Sequence, residues 1–461
     1  MAGLVLGFTF GFSSPAIPDL EDRLGPEETS WFGSVVTLGA VMGAPLGAVV
    51  IEKLGRKGTL IAVNVPYGLG WLCIIVAELL PDKGLLPMLL VGRILCGLAV
   101  GVTAGAQPIY VAEVATKQLR GLLGTSLQLT INIGILIMFA LGLTLYYRFL
   151  AIIPCCVSVL MVLAMAFMPE TPRHLVNKGR DDDALKALRW LRGPDFDCRG
   201  ELIEIQQNLA TQPKQSLHIS EFTRREVLRP LIIAVGLMVF QDASGINAVL
   251  FYADGIMEQA GFEGKGGLAS VVIAIILVVM VFPASALTDR AGRKTLLIIS
   301  QVFIVISLVT FGLYFYLSSE HEMTGLSALS MTSLIVYISA FCLGMGPIAY
   351  VVVGEIFPMR VRGVATSITV CLHWIVAFII TKTFSIMLTS LQPYGTFWFY
   401  AGTGLVGLIF TVIIVPETKG KSLEEIEASF SRKTSDKKRP LAERGEEDVD
   451  DRTSLHQEQA V

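Results

Sequence analysis

Charge is scarce in this chain. Of its 461 residues, 16% are Asp, Glu, Lys or Arg, against about 25% in ordinary soluble domains. Hydrophobic residues make up 53%, and the mean hydropathy is +0.64. Those figures exclude a soluble globular protein and indicate a chain that crosses a bilayer many times. The net charge of −3 leaves no basic excess for nucleic acid. No Cys-x-x-Cys pair occurs among Cys73, Cys96, Cys155, Cys156, Cys198, Cys342 and Cys371. Most of these lie in apolar runs, so small buried hydrophobes are expected rather than a disulfide framework. No Asn-x-Ser/Thr acceptor exists to report topology through glycosylation. Met1 opens directly into an apolar segment without a basic leader, which argues against a cleavable signal peptide and suggests an N-terminally shortened form. No nucleophile–base pair, metal-ligand cluster or phosphate loop stands out, so neither an enzyme, a metal nor a cofactor is expected. His174, His218, His321 and His456 lack ligand spacing and are expected to be solvated surface.

What the chain has in abundance is apolar runs of spanning length, roughly 20 residues each. Twelve fit, at about 2–18, 31–51, 58–80, 86–112, 121–145, 149–168, 230–258, 267–288, 295–317, 327–353, 363–388 and 395–415. The fold class expected is an all-α membrane protein of twelve transmembrane helices in two pseudo-symmetric six-helix halves. The halves are 1–168 and 230–418. Between them, 169–229 reads as a cytosolic helical linker. Asp181 to Asp183 can cap a helix through DALKALRWLR, and Gly193-Pro194 stops it. Residues 419–461 form a cytosolic tail, expected to be disordered from Ser431.

Lys and Arg in the short loops set the orientation. One set of connections holds Lys53, Arg56, Lys57, Lys117, Arg120, Arg290, Arg293, Lys294, Arg360 and Arg362; the other holds only Arg23, Lys83, Arg148 and Lys265. The bias places both termini and the linker in the cytosol.

The chain also repeats itself. LGRKGTL at Leu54–Leu60 returns as AGRKTLL at Ala291–Leu297. Glu113 precedes Arg120-Gly121 as Glu355 precedes Arg362-Gly363, and Pro169-Glu170-Thr171 returns as Pro416-Glu417-Thr418. An offset of roughly 240 residues relates all three pairs. Two parallel repeats imply an axis along the membrane normal and a substrate site between the halves near mid-bilayer. The repeated charges, Arg56, Glu113, Arg120, Glu170, Arg293, Glu355, Arg362 and Glu417, are expected to form salt bridges that pair across the halves and gate the cytosolic side. Exposed pairs are worth about 0–1 kcal/mol each, which suits a latch that must open.

One stretch does not belong in an ordinary membrane helix. Phe240–Tyr252, FQDASGINAVLFY, places Gln241, Asp242, Ser244 and Asn247 inside an apolar run. Each loses water there and must face a partner or a wet cavity, so a binding site is expected at this stretch.

The pieces LGRK and DRAGRK, PIYVAEVATKQLRG, PETPR, QDASGIN, GPIAYVVVGEIFPMRVRG and VPETKGKSLEEIE cover nearly the whole chain. In order and spacing they resemble the sugar porter family of the major facilitator superfamily, in particular its facilitative hexose transporters. GFSSPAIP, SWFGSVVTLGA and HWIVAFIITKTF are most similar to the intracellular hexose transporter branch and its insect trehalose-carrying relatives. The resemblance implies alternating access and a monosaccharide or disaccharide as substrate, carried by a monomer in the lipid bilayer of the plasma membrane or of an endosome or lysosome. It implies substrate-binding roles for Gln128, Gln241, Asp242, Asn247, Tyr350 and His373, and a packing role for Arg93. Amides suit a sugar because they donate and accept without a charge to desolvate. Asp242, Tyr350 and His373 depart from the family's usual glutamine, tryptophan and asparagine, and Leu277 falls near a polar contact that it cannot make. Asp242 either simply accepts hydrogen bonds from sugar hydroxyls or is compensated across the site by His373, the other ionisable newcomer, in which case uptake varies between about pH 5 and 8. Ser13 stands where proton-coupled members carry aspartate, so facilitated diffusion is expected. The alternatives are proton symport through Asp242 or a non-transporting sugar sensor.

Overall fold

In a computed structural model of the protein, the described residues are 1–116, 118–193, 196–210, 222–320, 327–358, 360–421, 425–427 and 430. They fold into helices, with no strand among them. Among the described residues, ten helices are long and apolar enough to cross a membrane. The count becomes twelve spans for two reasons. The first span is divided at Phe12 into α1 (Ala2–Gly11) and α2 (Ser13–Glu21), each too short to count alone. The second and third are joined, because α3 (Pro26–Ala62) continues through a kink at Gly55 and on almost directly into α4 (Asn64–Ala77). Gly55 separates them at φ 77°, a backbone conformation that a side chain disfavours. Spans four to six are α5 (Asp82–Val114), α6 (Arg120–Gly142) and α7 (Tyr147–Phe167).

Three short helices follow: α8 (Pro172–Asn177), α9 (Asp181–Arg192) and α10 (Cys198–Ala210). In α9, Asp181–Asp183 occupy the first turn and Arg189 and Arg192 the last, each sign at the helix end that favours it. Gly193, at φ 90°, ends the helix. Arg192 ties this segment to the bundle, with Nη2 donating to Glu201 at 2.8 Å and Nη1 to the Val114 carbonyl at 2.8 Å.

The seventh span has three pieces: α11 (Arg225–Ala243), α12 (Ile246–Phe251) and α13 (Ala253–Gln259). It is followed by α14 (Gly266–Arg290) and α15 (Arg293–Glu320). The tenth span breaks into α16 (Ser327–Leu343) and α17 (Met345–Ile356), and α18 (Arg362–Ser390) and α19 (Gln392–Ile414) complete the bundle. The distal tail, His218, His321 and His456 lie outside the described residues. All seven cysteines are free.

The repeated motifs build the same cluster twice, on the face that carries the Gly-Arg-Lys turns. In the first half, Arg56 Nη2 donates to Glu113 at 2.8 Å and Thr171 Oγ1 to the other Glu113 oxygen at 2.7 Å. Glu170 accepts the backbone N–H groups of Arg56 and Lys57, each at 3.1 Å. In the second half, Arg293 Nη2 donates to Glu355 at 3.1 Å and Thr418 Oγ1 to Glu355 at 2.6 Å. Glu417 accepts the N–H groups of Arg293 at 2.9 Å and Lys294 at 3.2 Å. A carboxylate there covers the unpaired donors at the start of α15, where the helix dipole favours negative charge.

In this conformation, among the described residues, every ion pair of the two clusters closes within its own half. Glu170 and Glu417 are drawn to the helix start beside them, which leaves each Arg to its own-half glutamate. Arg362 donates instead to the Phe357 carbonyl at 3.0 Å, and the Arg120 side chain lies outside the described residues. His174 is not solvated surface. It is 7% exposed, and its Nδ1 lies 3.0 Å from Arg56 Nη1. The α8 turn places it on the same side as Glu170, inside the cluster.

The halves meet along α3 with α18 and α6 with α14, and through α1 and α2 with α12 and α13. On the face opposite the basic turns, Ser14 Oγ donates to Asp254 at 2.9 Å and Ser30 Oγ to the Lys382 carbonyl at 2.9 Å. Lys382 Nζ sits 4.3 Å from the centroid of the Trp31 ring. Two further bonds cross at the α6–α14 contact, Thr125 to Ser285 at 2.9 Å and Asn132 to the Leu277 carbonyl at 2.6 Å.

Candidate functional site

The unusual stretch of the seventh span is a broken helix. Gly245 takes a left-handed conformation at φ 87° and ends α11. A Cβ there would meet the Tyr400 ring at 2.6 Å, so this position excludes a side chain both by conformation and by space. A break in a membrane helix frees carbonyls that must find donors within the protein. Thr403 Oγ1 donates to the Ala243 carbonyl at 2.6 Å and Tyr337 Oη to that of Ser244 at 2.9 Å. The tenth span breaks beside it, at Gly344. Gln241 joins the two breaks, its Nε2 donating to the carbonyls of Met345 at 3.2 Å and Gly346 at 3.1 Å. Its Oε1 is buried without a partner in the protein.

Four of the six nominated residues form one chain of contacts. Asn247 Nδ2 donates to Asp242 Oδ1 at 2.8 Å. Asp242 Oδ2 lies 2.7 Å from His373 Nδ1. The approach is off the axis of a straight hydrogen bond. His373 Nε2 lies 3.1 Å from Tyr350 Oη. Asp242 is completely buried and His373 is 6% exposed. Tyr350 is 45% exposed although protein closely surrounds it, so its ring lines an internal opening. Tyr350 stands on α17 between the break at Gly344 and Glu355 of the second charge cluster.

Gln128 stands apart from this chain, across the seam on α6. It is exposed, and its Nε2 donates to Asn132 Oδ1 at 2.9 Å. Asn132 in turn bonds the backbone of Leu277, so the apolar side chain at 277 is no obstacle to a polar contact there. Asn132 was not nominated, although its place one turn after Gln128 was the available signal. Trp374, whose ring packs 4.9 Å from that of His373, was also missed; a tryptophan next to a nominated residue was the only cue.

Arg93 is completely buried without a carboxylate. Its guanidinium donates to the carbonyls of Thr9 at 3.2 Å and Phe32 at 3.3 Å and to the Ser13 hydroxyl. It also faces the rings of Phe32 and Phe12, at 5.2 and 5.8 Å from their centroids. These contacts fit a packing role. No group of His, Cys, Asp and Glu able to hold a metal occurs among the described residues. A separate cleft of about 460 Å³, lined by Lys57, Glu170, Arg180, Lys186 and Trp190, lies under the linker helices, away from the polar seam.

Two six-span halves with polar groups gathered at paired helix breaks on their seam are the construction of a major facilitator carrier. Solved structures agree. The xylose transporter XylE from E. coli, in its inward-open conformation, matches with a TM-score of 0.79 at 25% identity, covering 93% of this chain and 97% of that one. The same transporter bound to 6-bromo-6-deoxy-D-glucose matches at 0.76. The family model described as "Sugar (and other) transporter" matches residues 19–430. Mouse solute carrier family 2, facilitated glucose transporter member 8, is 40% identical over 93% of this chain and 92% of its own length. A facilitated trehalose transporter of the honeybee Apis mellifera ligustica is 36% identical over 94% and 88%. The chain belongs to the sugar transporter family.

Proposed function

We propose that this protein carries a hexose-like sugar down its gradient by alternating access, with the sugar held between the halves at the two helix breaks. The observation that carries the reading is the set of amides and one aromatic hydroxyl gathered on that seam: Gln128 and Asn132 from one half, Gln241, Asn247 and Tyr350 from the other. The relatives named for glucose and trehalose transport support a sugar as the cargo. Ten Lys and Arg against four favour both termini and the linker in the cytosol. In that orientation the site faces inward, with Ser14, Asp254, Ser30 and Lys382 holding the outer face closed. Residues 1–168 and 230–418 then move as two bodies. The charge cluster at the inner end of each body keeps that end rigid while the bodies rock.

Ser13 bonds Arg93 and supplies no carboxylate to titrate, which favours a uniporter. The second reading is proton symport, favoured by the buried Asp242. Purified protein in liposomes preloaded with D-glucose should show transient counterflow accumulation of labelled D-glucose without any ion gradient. Absence of counterflow with D-glucose, fructose, galactose and trehalose alike would leave a sugar sensor as the better reading. Accumulation that requires an imposed pH gradient would establish symport.

A further inference from the structure

The chain of contacts from Asp242 to Tyr350 ends at a hydroxyl on the cavity wall, and its chemistry has two states. A carboxylate 2.7 Å from Nδ1 repels a lone pair there, so neutral His373 carries its proton on Nδ1. Its Nε2 is then an acceptor. Tyr350 must donate its O–H to Nε2 at 3.1 Å, and only the Tyr350 lone pairs are left for a ligand. Addition of one proton from the cavity water reverses this. Whether the extra proton resides on the imidazole or is shared with Asp242, Nε2 becomes a donor. Tyr350 Oη then accepts from His373, and its own O–H turns free to donate into the cavity.

We propose that the Asp242–His373 pair sets the hydrogen-bond polarity of Tyr350, which makes Tyr350 a specificity-determining residue that changes with one proton from acceptor to donor toward the sugar. This rests on the sugar-carrier reading and adds to it a rule for which sugar hydroxyls are recognised. Among the described residues, Tyr350 is the one other titratable group that hydrogen-bonds or ion-pairs with the pair. Tyr337 and Tyr252 are committed to the carbonyls of Ser244 and Thr381, and Arg93 to those of Thr9 and Phe32. Tyr400, on α19, packs against Gly245. Glu28 and Glu52 on α3, Arg229 on α11, Asp254 on α13, Glu355 on α17, and Arg362 and Lys382 on α18 are charged residues of the helices around it, and none of them is a hydrogen-bond or ion-pair partner of the pair.

Fluorine on a sugar ring accepts a hydrogen bond weakly and never donates, whereas a deoxy position does neither. The test is competition with D-glucose counterflow by each monodeoxy and monodeoxyfluoro glucose, at about pH 5.5 and about pH 8, which bracket ordinary histidine titration. At one ring position, the fluoro analogue should compete about twofold to threefold better than the deoxy analogue at acid pH, the low end of the worth of one hydrogen bond. At alkaline pH the two should be equal. In His373→Asn the ratio should no longer change with pH, and in Tyr350→Phe it should be near one at both values. A wild-type ratio that does not move with pH at any ring position overturns the proposal, and this comparison needs no variant. Persistence of the pH change in His373→Asn overturns it as well. A wild-type protein that carries no D-glucose overturns the carrier reading itself and this inference with it.

Discussion

Asp242 is the residue where sequence and structure meet most sharply. A carboxylate in a membrane span has to be paired, wet or protonated. Here it is fully buried between Asn247 and His373, the one other ionisable departure from the family pattern at the seam. Removing one partner leaves the other buried and uncompensated. Asp242→Leu, which strips Asn247 and His373 of their partner, should therefore cost about 1–3 kcal/mol of stability. The double replacement Asp242→Gln with His373→Asn should recover most of that, and thermal unfolding in detergent measures both. That the two residues could meet was legible from the chain, because both are ionisable at positions usually amide. The link to Tyr350 was not, since it depends on a ring orientation that no spacing encodes. Gln241 was legible as a polar group in need of a partner. That its partners are two backbone carbonyls of the tenth span was not, because the break at Gly344 has no proline or polar run to announce it.

At the scale of elements, the breaks and caps hold the site in place. Gly245→Ala puts a side chain at φ 87° and against Tyr400, and should destabilise by about 2 kcal/mol or more. An unchanged melting temperature would contradict the break as described. Caps make a pH-dependent contribution. Burial alone would push the Glu417 carboxyl up, but the N–H groups of Lys419, Arg293, Lys294 and Thr418 outweigh it and hold the group below the ordinary carboxylate range. A depressed carboxyl contributes stability that is complete above its unfolded value of 4.5 and is lost as pH falls through the folded value. Glu417→Gln should lower the melting temperature at pH 7 and make no difference in strong acid. His174 behaves alike at higher pH. Burial disfavours its cation, Arg56 and Lys178 add to this, and Glu170 and Glu113 oppose, leaving it below the ordinary histidine range. Its contribution is complete above pH 6.5 and is lost as pH falls through the lowered value. His174→Phe should flatten stability against pH just below 6.5. The sequence showed the repeated motifs but not their pairing, because two copies of one pattern fit pairing within a half as well as pairing across.

Over the whole molecule, twelve spans, two halves and an intervening helical segment were all readable from hydropathy and repetition. What hydropathy could not give was the interruption of spans one, seven and ten, because a broken helix and a continuous one bury the same apolar residues. Nor could it tell which face the halves close. Ser14 with Asp254 and Ser30 with Lys382 join them opposite the basic turns. Asp254→Ala should loosen that face and raise amide hydrogen exchange in α12 and α13; unchanged protection would mean that the Ser14 contact does not hold the halves. The central claim is that the broken seam is the sugar site, and sugar-induced stabilisation tests it most directly. A ligand that binds the native state raises its stability by about 2.7 kcal/mol at a hundredfold excess over Kd. D-glucose should raise the melting temperature of the purified wild-type protein and leave that of a folded Asn247→Ala variant nearly unmoved. An equal shift in both proteins would place the sugar elsewhere and contradict the account.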